Sequence, residues 1–143
     1  MDSGFQFELL WNDEDVLQLR IRASNSRFGG TADVYVPIGG LAEAAAKLEG
    51  FPRNPSDQRE LEFGAFGPKT AGGGVNMRFY CEGAAGRAFV ETTMESDHKG
   101  ERAETAHFLV AVEAGAVDVF VSELQRLEAE RRGFARLNVL VTA

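Results

Sequence analysis

TADVYVPIGGLAEAAAKLEG, residues 31–50, decides the fold class. Its first eight residues alternate, with Val34, Val36 and Ile38 on one side, which is the period of a half-buried strand. After Gly39 and Gly40 the period changes. Leu41, Ala44, Ala45 and Leu48 form one stripe at helical spacing. Gly50 supplies the stop. A strand that runs directly into an amphipathic helix points to a mixed α+β domain.

Alternation continues on both sides of this stretch. Upstream, FQFELLW (5–11) sets Phe5, Phe7, Leu9 and Trp11 on one face, and Asn12–Asp15 is a polar turn. VLQLRIRAS (16–24) turns Leu17, Leu19, Ile21 and Ala23 one way and Gln18, Arg20 and Arg22 the other, as in an antiparallel strand with one wet face. SNSRFGG (24–30) is a turn cluster. Downstream, FPRNPSD (51–57) holds two of the four prolines and reads as a loop. RELEFGAF (59–66) and VNMRFYC (75–81) are strands, the second with Val75, Met77, Phe79 and Cys81 together. EGAAG (82–86) turns the chain, RAFVETTMES (87–96) is a strand, and DHKGER (97–102) is a charged turn. ETAHFLVAVE (104–113) is a strand, and GAVDVFVSELQRLEAERRG (115–133) has helical spacing at Val117, Phe120, Val121, Leu124 and Leu127. Arg131 and Arg132 suit the negative end of that helix. ARLNVLVTA (135–143) is a last strand.

The expected architecture is therefore α+β, mostly antiparallel sheet with two helices, in a single domain spanning 1–143. Each half reads strand, strand, strand, helix, strand. Shifting by 76 residues sets Leu41 on Val117, Leu48 on Leu124, Phe51 on Leu127, Leu61 on Leu137 and Phe63 on Val139. TADVYV matches TAHFLV at a shift of 74. Two readings stand: a duplicated β-β-β-α-β unit, with repeats at 5–66 and 75–142, or two amphipathic halves that merely align.

The chain has 143 residues, enough to bury a core without disulfides or a structural metal. Its formal net charge of −7 disfavours nucleic acid and favours encounter with a basic protein, besides keeping the chain soluble. The single cysteine, Cys81, rules out an intrachain disulfide and fits a reducing compartment. The N-terminus lacks the basic and apolar regions of a signal peptide, and no stretch reaches the roughly 18 apolar residues of a membrane span. The expectation is a cytoplasmic protein with no membrane partner.

GPKTAGGGV (67–75) has the residue types of a phosphate-binding loop in the wrong order. A P-loop places its Lys-Thr after the glycines and opens a helix, whose free amides bind the phosphate. Here Lys69 and Thr70 precede the glycines and a strand follows, so the stretch reads as a flexible hairpin connection. Of the two histidines, His98 sits in a charged turn beside Asp97 and Glu95, and His107 lies on a strand at the position matching Asp33. Asp33 and His107 would make a symmetric pair, which falls short of the three or four ligands a metal needs. No C-x-x-C, H-E-x-x-H, G-x-S-x-G or G-x-G-x-x-G before a helix occurs, and Cys81 lies on an apolar face. No catalytic residue, cofactor or metal is expected. The polar strand faces carry Arg20, Arg22, Arg78 and Tyr80, residue types that concentrate binding energy at protein interfaces. These four are the candidate partner-binding residues.

SRFGGTADVYVPIGGLAEAAAKLEGFP (26–52) and AHFLVAVEAGAVDVFVSELQRL (106–127) each run from a strand into a short amphipathic helix. In this the chain resembles the small bacterial proteins grouped around WapI-type immunity proteins, over most of residues 5–130. The resemblance implies a bacterial cytoplasmic protein that binds and blocks a basic toxin domain, with no catalytic residues to carry over. Homodimerisation is a further expectation. The alternative is a small-molecule-binding protein or enzyme. Read from residue 31, the element order resembles the paired modules of the vicinal-oxygen-chelate family, without that family's spaced His and Glu ligands.

Overall fold

The computed structural model describes residues 3–83 and 86–138. In chain order the elements are β1 (Gly4–Asn12), β2 (Val16–Ser24), β3 (Gly29–Pro37), α1 (Gly40–Leu48), β4 (Arg59–Gly64), β5 (Gly74–Glu82), β6 (Arg87–Glu95), β7 (Thr105–Val112), α2 (Ala114–Glu130) and β8 (Phe134–Asn138), with a short 3-10 turn at Gly100–Arg102. The strands form two four-stranded sheets, ordered β3-β2-β1-β8 and β4-β5-β6-β7, and every pairing is antiparallel. The α+β class expected from the sequence is what the structure has. The EGAAG turn includes residues 84 and 85, and the last strand includes 139–143. Those positions lie outside the described residues.

Each helix carries the chain from one sheet to the other. α1 leads from β3 to β4, which sits beside β5, and α2 leads from β7 to β8, which sits beside β1. The two sheets therefore share one strand order once β5 is set against β1 and β4 against β8. The shared order concerns topology alone and does not establish a duplication. The helical stripes also correspond. Leu41, Ala44, Ala45 and Leu48 are buried, as are Val117, Phe120, Val121 and Leu124, and so are the pairs Phe51 with Leu127 and Leu61 with Leu137. Val139, matched to Phe63 in the sequence, is outside the described residues.

One core holds the inner sheet faces and both helices together. Phe7 of β1 meets Phe63 of β4 edge-on at 4.9 Å and Phe120 of α2 at 5.3 Å, so both sheets and a helix converge on one ring. Burying each such side chain is worth about 1.5–3 kcal/mol, which makes this junction a main source of cohesion. Both ends of α1 are closed by side chains from other elements. Glu128 of α2 accepts the Leu41 and Ala42 amides at the start of α1, at 3.0 and 3.3 Å. Arg59 donates to the Lys47 and Glu49 carbonyls at its end, at 2.9 and 3.0 Å. Free helix amides and carbonyls need such partners, and α1 has no local side-chain cap.

One sequence expectation fails in β1. Leu9 pairs with Leu19, but Trp11 pairs with Gln18, so Leu10 is an extra residue that makes a bulge. Gln18 faces out, and the bulge turns Trp11 to the same side. Trp11 is 51% exposed instead of lying with Phe5 and Phe7.

Candidate functional site

The four candidate residues lie on two separate surfaces. Arg20 and Arg22 project from the outer face of the first sheet, and Arg78 and Tyr80 from the outer face of the second. They form no single patch.

On the second sheet the polar side chains bind one another. Arg78 contacts Glu91 at 2.8 Å, and Glu91 contacts His107 at 3.0 Å. Arg78, then His107, hold the Glu91 carboxyl below its usual range. The Arg78 guanidinium lies over the Tyr80 ring at 4.4 Å, Tyr80 stacks on Phe89 at 5.9 Å, and Arg87 covers Phe89 at 6.0 Å. Burial, then the charge of Glu82, pushes the Tyr80 phenol up. The ladder is closed by its own contacts.

On the first sheet the rows run across the strands. Gln18 pairs with Trp11 on one side and Tyr35 on the other. The next outward row is Phe134, Glu8, Arg20 and Asp33, and the one after is Arg136, Gln6, Arg22 and Thr31. Asp33 grips Arg20 bidentately at 2.8 and 2.9 Å and reinforces its positive charge. Leu10, Trp11 and Tyr35 are 37%, 51% and 39% exposed. Sequence reading missed Tyr35 as a surface aromatic, and it missed Trp11 because the bulge breaks the alternation. It missed Arg136 because the β1–β8 pairing is not local.

The glycine loop has a structural role. Gly64 and Gly74 close the β4–β5 hairpin, and the Gly73 amide donates to the Asp33 carbonyl of β3 at 2.7 Å. A Cβ on Gly72 would meet the Tyr35 ring at 2.8 Å, and one on Gly73 would strike the Glu95 carbonyl oxygen. Gly73 thus lets the backbone lie against the edge of β3, and Asp97 reaches the Asp33 amide of that edge at 3.5 Å. The hairpin connection is as expected, but it is packed against the sheet, which the word flexible misses. Asp33 and His107 are not brought together; each is bound to a partner on its own sheet, Arg20 and Glu91. Beside His98, Asp97 accepts the Asp33 amide and Glu95 takes Lys99 at 3.2 Å. Among the described residues no three His, Cys, Asp or Glu side chains converge. Cys81 is partly buried, and desolvation, then Asp57, pushes its thiol up, away from the reactive thiolate.

Among the described residues no helix is long and apolar enough to cross a membrane. No family model, no curated protein and no solved structure matches this chain.

Proposed function

We propose that this chain is a non-catalytic protein-binding module, immunity-like in kind, that docks a basic protein in a bacterial cytoplasm through the outer face of its first sheet. The observation that carries this reading is the bulge that turns Trp11 outward into one row with Tyr35. An aromatic pair exposed at 51% and 39%, with arginines beside it, has the composition of an interface centre. The acidic tip Asp13–Asp15 adjoins Trp11, and the net charge of −7 adds long-range attraction for a cationic partner. A toxin domain is the partner that the immunity resemblance implies. Arg20 stands in the row next to the aromatic pair and Arg22 in the row after it, and both keep their assigned role. Arg78 and Tyr80 belong to the other face and are secondary.

The test is capture from bacterial extract with the wild type, W11A/Y35A and R78Q side by side. The reading predicts one basic protein in near-equal amount, lost with W11A/Y35A, retained with R78Q and weakened by salt. Capture that ignores W11A/Y35A refutes the face. Self-association that W11A/Y35A abolishes makes a second copy the occupant instead.

A further inference from the structure

The far end of the same face has a different chemistry. Gly4 pairs with Asn138 on one side and Ser24 on the other, and Gln6 in the next row pairs with Arg136 and Arg22. Gln6, Arg22 and Arg136 point outward, while Ser24 is buried beside Gly4 and its hydroxyl accepts the Ser26 amide at 3.1 Å. Gly4 has no side chain to contribute, so the sheet surface dips there. The dip is built in: Gly4 has φ +126°, and a Cβ would run into the Leu137 carbonyl oxygen. The resulting depression has a volume of about 210 Å³, with Ser3, Ser24, Asn138, Arg22 and Arg136 around the glycine floor.

The two arginines differ from the others of the sheets in their partners. Arg20, Arg59 and Arg78 each meet a carboxylate at 2.8–2.9 Å. Arg22 reaches Glu8 only at 3.5 Å, and Arg136 donates to the neutral Gln6 amide at 3.2 Å while lying over the Phe134 ring at 4.7 Å, so neither has a short carboxylate contact. Each guanidinium carries five N–H donors, so most remain available. Their Cα atoms stand about two strand spacings apart, ~10 Å, and both heads engage the Glu8–Phe134 row, so they reach the glycine floor by turning away from that row. Two hydroxyls and an amide add further donors, more than the two oxygens of a carboxylate can use. The overall negative charge does not oppose this, because it is screened beyond about 8 Å while the guanidiniums act in contact.

We propose that this depression binds a tetrahedral oxyanion, the phosphate of a small phosphorylated molecule. The site does not rest on the docking reading, although Arg22 belongs to both, and it lies two to three rows from Trp11 and Tyr35.

Titration of the labelled protein with inorganic phosphate, followed by amide NMR shifts, tests it. Saturable shifts centred on Gly4, Gln6, Ser24 and Asn138 are expected. In R22Q/R136Q, whose peak dispersion reports folding, affinity falls by about tenfold or more, while R78Q binds as the wild type does. The proposal is overturned if shifts do not saturate, if R22Q/R136Q binds normally, or if acetate at equal ionic strength moves the same amides as far. Glycerol phosphate should bind at least as well as phosphate. A phosphoserine peptide that binds more tightly than glycerol phosphate would overturn the small-molecule assignment in favour of a phosphoprotein.

Discussion

Glu128 Oε1, near the end of α2, accepts the backbone amide of Leu41, in the first turn of α1, at 3.0 Å. The two residues are 87 positions apart, so the start of one helix is fixed by the end of the other. A carboxylate there satisfies free amides and opposes the positive end of the helix dipole.

Glu128→Ala should therefore cost about 1–2 kcal/mol of stability, the usual value of an N-terminal cap. Glu128→Gln keeps an acceptor and should lose about half of that. Urea unfolding followed by circular dichroism measures both, and a midpoint shift at unchanged slope is expected.

Asp57 is bound to Arg59 at 2.9 Å, and that bond holds its carboxyl below the ordinary 3.8, with the Arg53 amide assisting against burial. A depressed folded-state pKa gives stability that is complete above the unfolded value and is lost as pH falls through the folded one. Asp57→Asn should cost about 2 kcal/mol at pH 7. The gap to wild type should close only below pH 3.8, as measured by unfolding across pH 2–7.

Two glycine substitutions should have opposite signs. At Gly73 an added methyl meets the Glu95 carbonyl oxygen and lies 3.2 Å from Ala32, so Gly73→Ala should destabilise by about 1–3 kcal/mol. At Gly115, in α2, nothing lies within 4 Å, and Gly115→Ala should stabilise by about 0.5 kcal/mol. Thermal unfolding of the two variants separates packing from flexibility as the reason for the glycines.

Trp11 is the single tryptophan and is 51% exposed, so its emission should be red-shifted and readily quenched by acrylamide. Trp11→Ala should change stability by less than about 0.5 kcal/mol. It should weaken partner binding by about 2 kcal/mol or more, the mark of a hot spot.

Much of this was legible in the sequence, and the limits are physical. The stripes of α1 and α2 are local patterns, and Leu41 through Leu48 and Val117 through Leu127 are buried as their spacing requires. Strand facing was legible wherever the alternation is unbroken, as from Leu17 to Ala23. At Leu10 one extra residue reverses the parity, and residue types alone do not mark a bulge. Pairing across the chain was hidden for another reason. That β8 lies beside β1, placing Arg136 next to Gln6, is set by the global closure of the core. The separation of Arg20 and Arg22 from Arg78 and Tyr80 follows from the same closure.

Because β4 completes the second sheet and β8 the first, neither half closes a sheet by itself. A chain cut in the loop before Gly73 would leave two fragments, each missing an edge strand and half a core. Neither fragment should fold alone, and together they should reassemble. A lone first half has one further solution: two copies could trade their last strands about a two-fold axis and rebuild the same eight-strand frame as a domain-swapped dimer.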